Sequence, residues 1–204
     1  MEHQVSGPRR RQKLVTWPIA APLAALVLVA VAYVATRPLG GGEPQPSFYV
    51  IGSAVPGVQI GQIAPGTAGA PGSSDFGLID LDGAPVALAG FGGHPIWIIF
   101  WKTACAPCEA EAPDVEAAFA AHQTDGLIIL GIDLWDTTPE VRDYAATHPV
   151  GYPIAIDQAH AVLDAYGVWG APTHYFMDAA GIIKFRYFGP MTRNLIEESL
   201  RKII

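Results

Sequence analysis

Two runs of this chain carry no polar alternation: Ile96-Trp97-Ile98-Ile99-Phe100-Trp101 and Leu127 to Ile132. A strand covered on both faces reads this way, so both are expected at the centre of a sheet with helices on either side. Phe76 to Leu88 alternates instead and turns at Asp82-Gly83, the pattern of a β-hairpin. A second hairpin is expected from Thr173 to Met177 and Ile182 to Phe188, turning near Ala179-Ala180-Gly181. Between these lie helical stretches. An alanine-rich run follows Cys105 and continues through Asp114 to His122, with Pro113 predicting a kink. Thr138 as N-cap with Pro139 behind it starts a helix running to about His148. A short strand is expected around Tyr152 to Ile156, and a short helix over Gln158 to Tyr166, closed by Gly167. Thr192 caps a terminal helix to Ile203 whose inward stripe is Leu195, Ile196, Leu200 and Ile203. Strands with interspersed helices, then a last hairpin and helix, make an α/β sandwich.

The N-terminal pattern is different in kind. From Leu14 to Thr36, 23 consecutive residues carry no charge. A helix of that length reaches roughly 35 Å, enough for a hydrocarbon core of about 30 Å. Arg9, Arg10, Arg11 and Lys13 precede it and only Arg37 follows closely, which leaves residues 1–13 in the cytoplasm and exports the rest. The expected location is a bacterial inner membrane, crossed once, with the C-terminal part facing the periplasm or cell exterior. The competing reading is a cleaved signal peptide with Ala30-Val31-Ala32 at the cleavage site. Residues 37–74 form a lead-in. It opens on the tether Pro38 to Pro46 and continues through 47–74, which reads either as edge strands or as a mobile segment. The folded domain is expected over 75–204.

Composition narrows the partners. The chain has 204 residues and a net charge of −7, with 12 Lys and Arg against 19 Asp and Glu. A phosphate backbone calls for clustered cations, so nucleic acid is not an expected partner.

The candidate chemistry sits where the first apolar run meets the first helix. Cys105 and Cys108 are the only cysteines, two residues apart. A strand feeding a helix whose first turn carries Cys-x-x-Cys puts the first sulfur among unpaired N–H groups at the positive end of the helix dipole, which favours a thiolate. The thiolate attacks a disulfide, and the second cysteine can resolve the mixed disulfide. Half of a zinc site is the first alternative, but there is no second cysteine pair and no His-x-x-x-His spacing. An inert local disulfide is the second. The export signal places the pair where disulfides persist.

At this point the sequence resembles a family. The run Leu81-Asp82-Gly83-x-Pro85-Val86, then Gly93-His94-Pro95, then Phe100-Trp101-x-x-x-Cys105-x-Pro107-Cys108-x-x-Glu111-x-Pro113, is similar to the TlpA/ResA/DsbE-like proteins. The likeness continues through Gly131-Ile132-Asp133, Tyr152 to Asp157, Ala165 to Val168, Gly170-Ala171-Pro172-Thr173 and Met177-Asp178-x-x-Gly181. The resemblance implies a thioredoxin-like fold: a central mixed sheet flanked by helices, with an N-terminal β-hairpin extension and a helix-strand insertion, behind one transmembrane helix. It implies a protein-disulfide reductase, with Cys105 as nucleophile, Cys108 as resolving thiol and a Cys105–Cys108 disulfide as the only redox group. Pro172 matches the family's cis-proline, whose preceding residue, Ala171, offers its backbone to substrate; Trp101 and Thr173 join the implied substrate-binding set. Glu111 matches a glutamate near the dithiol. Apocytochrome c is the implied protein substrate and a membrane dithiol protein the implied upstream donor.

Glu111 lies one helical turn from Cys108, where a carboxylate can accept the proton of the resolving thiol. Its competing reading is a solvated glutamate in a first-turn position. Lys102 could stabilise a thiolate on Cys105 or simply be a surface lysine. Three departures from the family stand out. Ile99 occupies a strand position that is acidic in thioredoxin, Ala104 replaces an aromatic residue, and Glu109 replaces a basic one. Glu109 and Glu111 beside Cys108 disfavour its thiolate, which predicts a reductant. Among the histidines only His174, two past Pro172, is expected near the sulfurs. A copper-binding metallochaperone using Cys105, Cys108 and His174 is therefore the alternative function; no metal is expected under the leading one. A peroxiredoxin is disfavoured, because Thr103 precedes Cys105 by two residues where Thr-x-x-Cys is required. An idle docking module is a third reading.

Overall fold

Strand β4 (Ile96–Trp101) is buried at all six positions, as its unbroken apolar run requires. Beside it runs β5 (Ile128–Asp133), parallel and in register from Ile96↔Ile128 to Trp101↔Asp133. The connection between them is helix α1 (Ala106–His122), the crossover that a parallel pair needs. A second crossover, helix α2 (Thr138–Thr147), leads to β6 (Ile154–Ile156), parallel to β5.

The computed structural model describes the backbone of residues 49–50 and residues 57–70 and 76–204. The expected cytoplasmic segment 1–13, the membrane span 14–36 and the tether 38–46 lie outside the described residues. Among the described residues no helix is long and apolar enough to cross a membrane.

The remaining strands are short. A backbone pair, β1 (Tyr49–Val50), meets β7 (Gly170–Ala171) antiparallel. The expected first hairpin is β2 (Leu78–Asp80) and β3 (Pro85–Val86), and it joins the sheet through β2 against β6. The second is β8 (Thr173–Met177) and β9 (Ile183–Phe188), joined antiparallel to the other side of β4. The sheet order is β3-β2-β6-β5-β4-β8-β9. With two parallel contacts and the rest antiparallel it is the mixed sheet implied by the family resemblance, and β4 lies inside it.

Two apolar clusters cover the two faces. One joins Trp97, Ile99 and Trp101 to α1, α2 and the terminal helix α4 (Arg193–Leu200). The other joins Ile96, Ile98 and Phe100 to helix α3 (Ala161–Tyr166) and the segment before β2. Each large apolar side chain buried contributes about 2 kcal/mol, so β4, facing both clusters, anchors the loop that follows it.

Local hydrogen bonding shifts several element ends. The N-cap of α2 is Thr137 rather than Thr138, because Glu140 accepts from both the Thr137 N–H and its hydroxyl at 2.7 Å. Helix α3 begins at Ala161, not Gln158. The buried Asp157 carboxylate accepts the N–H groups of Ala161, Val162 and Leu163 and so caps the first turn from outside it. Gly167 closes that helix at φ 67°. Thr192 caps α4, and Leu195, Ile196, Leu200 and Ile203 face inward. Helix α1 runs continuously through Pro113.

Residues 57–70 are not a loose lead-in. Gly61 N–H donates to Ile183 O, Ala64 N–H to Gly181 O, and Ile183 N–H to Gln62 O. Val58, Ala64 and Thr67 are buried, and Tyr166 Oη–H donates to Pro65 O at 3.0 Å. Residues 57–70 therefore pack along the β8–β9 hairpin; residues 47–48, 51–56 and 71–74 of the lead-in lie outside the described residues.

Candidate active site

Helix α1 starts on a sulfur. Cys105 is its N-cap, with extended backbone at φ −108°, and Cys108 N–H donates to Cys105 Sγ at 3.3 Å. The two cysteines are joined as a disulfide. Pro107 occupies the first turn, where a missing N–H costs nothing. Ala104 bridges strand and helix with φ 49°, a left-handed conformation costing an L-residue about 1–2 kcal/mol. The buried strand on one side and the capped helix on the other hold it there. Cys105 is fully buried and Cys108 is 6% exposed.

Opposite the sulfurs lies the Ala171–Pro172 peptide, which is cis. Cys105 Sγ is 3.9 Å from Ala171 O. Thr173 is buried with its hydroxyl donating to Gly170 O at 2.6 Å. The backbone edge of Ala171, expected to receive substrate, pairs here with Tyr49 of β1. Trp101 is only 6% exposed, with its ring 5.0 Å from that of Tyr144 and its indole N–H without an acceptor among the described residues. It lies at the floor of the site rather than its rim.

Beside Cys108 opens a cavity of about 150 Å³, lined by Trp101, Cys108, Glu109, Glu111, Tyr144 and His148 among others. Glu111 is 4% exposed, so its reading as a solvated surface residue does not hold. Its Oε2 accepts from Met191 N–H at 2.8 Å and lies 3.4 Å from His174 Nε2. Glu109 is exposed at the cavity's edge. The charge of Lys102 bears on Glu140, helping to hold that carboxyl below its usual range after the Thr137 hydrogen bonds.

His174 is fully buried, and both its nitrogens are engaged. Trp97 Nε1–H donates to Nδ1 at 3.3 Å, and Nε2 faces Gly189 O at 3.2 Å. Neither nitrogen is left for a metal shared with Cys105 and Cys108. Among the described residues no group of three His, Cys, Asp or Glu side chains could hold an ion.

Sequence reasoning missed an acidic pair behind the loop. Asp133, at the end of β5 opposite Trp101, is fully buried. Its Oδ1 accepts from Trp135 and Asp136 N–H, while Oδ2 has no hydrogen-bond partner among the described residues. Burial, then the neighbouring Asp136 charge, pushes its carboxyl up to about 7 against the pull of those N–H bonds. Asp136 in turn accepts from Thr103 N–H, two residues before Cys105. The signal available in the sequence was acids following an all-apolar strand.

Comparison with known proteins adds independent findings. The model of the AhpC/TSA family matches residues 68–186. Thiol-disulfide oxidoreductase ResA of Geobacillus thermodenitrificans is 35% identical over 139 residues, spanning 67% of this chain and 80% of that protein. ResA of Bacillus thuringiensis subsp. konkukian is 30% identical over 146 residues, 72% of this chain and 79% of the relative. Among solved structures, a thioredoxin-family thiol:disulfide interchange protein from Chlorobium tepidum superposes with a TM-score of 0.55 at 25% identity, over 60% of this chain and 88% of the other. A secreted Mycobacterium tuberculosis disulfide oxidoreductase homologous to E. coli DsbE gives 0.55 at 22% identity, over 60% and 92%. At that identity the likeness speaks for the fold.

Proposed function

Since the chain belongs to the AhpC/TSA family, among its ResA-like thiol–disulfide oxidoreductases, we propose that it is a membrane-anchored reductant of protein disulfides outside the cytoplasm. Its substrate in this reading is apocytochrome c during cytochrome c maturation, and a membrane dithiol protein returns it to the reduced state. The observation that carries the reading is the placement of Cys105 Sγ. It caps a helix, accepts Cys108 N–H at 3.3 Å, and lies beside the Ala171 carbonyl next to a cis-proline.

In the reduced state Cys105 is the nucleophile. Its thiolate attacks one sulfur of a substrate disulfide, that bond breaks, and the released substrate thiolate takes a proton. Cys108 then gives its proton to Glu111 and attacks Cys105 Sγ. The Cys105–Cys108 bond forms, the mixed disulfide breaks, and the second substrate sulfur leaves and is protonated. The substrate gains two electrons from the dithiol and two protons, one passed on from Cys108 by Glu111 and one from water. Substrate docking uses the edge of Gly170–Ala171, so an incoming strand replaces Tyr49–Val50 there. Trp101 contributes through the cavity floor, and Pro172 and Thr173 hold the docking edge.

Glu109 and Glu111 set the direction. Negative charge near Cys108 disfavours thiolate, and a less stabilised thiolate makes the reduced pair the stronger reductant. The test is the potential of the Cys105–Cys108 couple, equilibrated against dithiothreitol and read by alkylation of free thiols. A value near the about −270 mV of thioredoxin supports a reductant; one near the about −120 mV of the oxidant DsbA overturns it.

A further inference from the structure

One buried side chain that this exchange does not use stands against the carboxylate it relies on. His174 on β8 lies directly across from Ile99 on β4 and from Tyr187 on β9. Directly opposed residues of antiparallel strands project from the same face, so His174 shares the face of Ile99, where β4 itself supplies no titratable group. The ring is held from two sides. An indole nitrogen can only donate, so the 3.3 Å contact from Trp97 Nε1 makes His174 Nδ1 an acceptor and puts the proton of the neutral ring on Nε2. That N–H meets Gly189 O at 3.2 Å, and its nitrogen stands 3.4 Å from Glu111 Oε2. Met191 N–H reaches the same Oε2 at 2.8 Å. One backbone donor and the N–H edge of a ring, from separate elements, thus stand against one oxygen of a carboxylate that is 4% exposed. Trp97 and Gly189 satisfy both ring nitrogens, so the 3.4 Å approach to Glu111 is additional to what a core histidine needs.

We propose that His174 is a positioning residue for proton transfer at Cys108. With Met191 N–H it ties down Oε2 of Glu111, leaving Oε1 as the oxygen that takes the thiol proton in the cavity Glu111 shares with Cys108. The inference rests on Glu111 being the proton acceptor in the function proposed above. In the step it assists, the Cys108 S–H bond breaks, Oε1 gains the proton, and the thiolate displaces the substrate sulfur from Cys105. His174 neither gains nor loses a proton; it fixes the acceptor.

The test follows the Cys108 step in the full-length chain by stopped flow, from a mixed disulfide between Cys105 and a model peptide. His174→Leu removes the donor, and His174→Gln keeps an N–H of similar reach. Misplacing a proton acceptor costs a sizeable part of its general-base contribution, so the leucine variant is expected to slow this step roughly tenfold at neutral pH and displace its rate–pH profile, with glutamine within about threefold of wild type. In a Glu111→Gln background His174→Leu should change nothing further, since there is no carboxylate left to place. An equal loss in that background makes His174 a packing residue and overturns the proposal, as does a leucine variant that resolves at the wild-type rate. If Glu111→Gln itself leaves the step unchanged, the reading of Glu111 falls and this inference with it. If Glu111→Gln slows the step but His174→Leu does not, only the role of His174 falls. Should the leucine variant not fold, Trp97→Phe frees the tautomer without touching His174, and its loss should likewise vanish in the Glu111→Gln background.

Discussion

Replacing Asp133 by Asn should stabilise the protein in a way that depends on pH. Asp133 is fully buried behind the active-site loop, with Oδ2 unpartnered among the described residues and Asp136 alongside. Its carboxyl stands at about 7 in the fold against 3.8 ordinarily. Between those values the unfolded chain has already released a proton that the folded chain still holds. Stability therefore falls as pH rises from about 4 through about 7, and above 7 the whole penalty is present. Three pH units correspond to about 4 kcal/mol, and relaxation around the ionised group brings the expected effect to about 2–4 kcal/mol. Asparagine keeps an oxygen for the N–H groups of Trp135 and Asp136, and its amide gives Asp136 a permanent donor where a proton came and went. Urea unfolding of the oxidised full-length chain at pH 5 and pH 8 is the measurement. Asp133→Asn should exceed wild type by about 1 kcal/mol at pH 5, where the unfolded chain has already lost its proton, and by about 2–4 kcal/mol at pH 8. A variant curve parallel to wild type across that range, or a loss at pH 8, would refute the assignment of a buried, proton-holding Asp133.

Cys108→Ser should accumulate a covalent adduct between Cys105 and a substrate peptide, seen by mass spectrometry, whereas Cys105→Ser should form none; an adduct on Cys108 instead would reverse the roles. Gly57→Ala puts a methyl group 2.0 Å from Tyr166 O and 2.4 Å from Gly167 N, where only backbone can yield. It should destabilise the domain by about 1–3 kcal/mol, while Gly90→Ala, with nothing within 4 Å among the described residues, should leave the thermal midpoint nearly unchanged. Gly131→Ala meets Trp101 Nε1 at 3.0 Å and Tyr152 at 3.1 Å. It should shift tryptophan emission and slow insulin reduction by moving the cavity floor, and unchanged emission with unchanged rate would show that the floor has slack.

Much of the scaffold was legible because its signals are local. An apolar run such as Ile96 to Trp101 can only be satisfied by cover on both faces, and Cys-x-x-Cys after it lands at a helix start by adjacency alone. The hairpins at Asp82-Gly83 and around Ala179 to Gly181 follow from turn chemistry, and Thr192 from the capping preference of a hydroxyl. The errors were local too. Thr137 and Thr138 are equivalent as caps until Glu140 bonds the first of them, and Gln158 begins no helix because Asp157 captures the N–H groups of Ala161 to Leu163.

What the chain's order alone determined is the reacting pair, its place between strand and helix, and the family it resembles. Only the tertiary structure decided which groups surround that pair. Glu111 became a buried carboxylate because the backbone of Met191 and the ring of His174, some eighty and sixty residues further on, reach its oxygen. Tyr49 came to lie on the edge beside Pro172, and residues 57–70 became part of the core cover. Contacts between residues far apart in the chain depend on how sheet register and helix packing bring distant segments together, and no periodicity in the sequence encodes them.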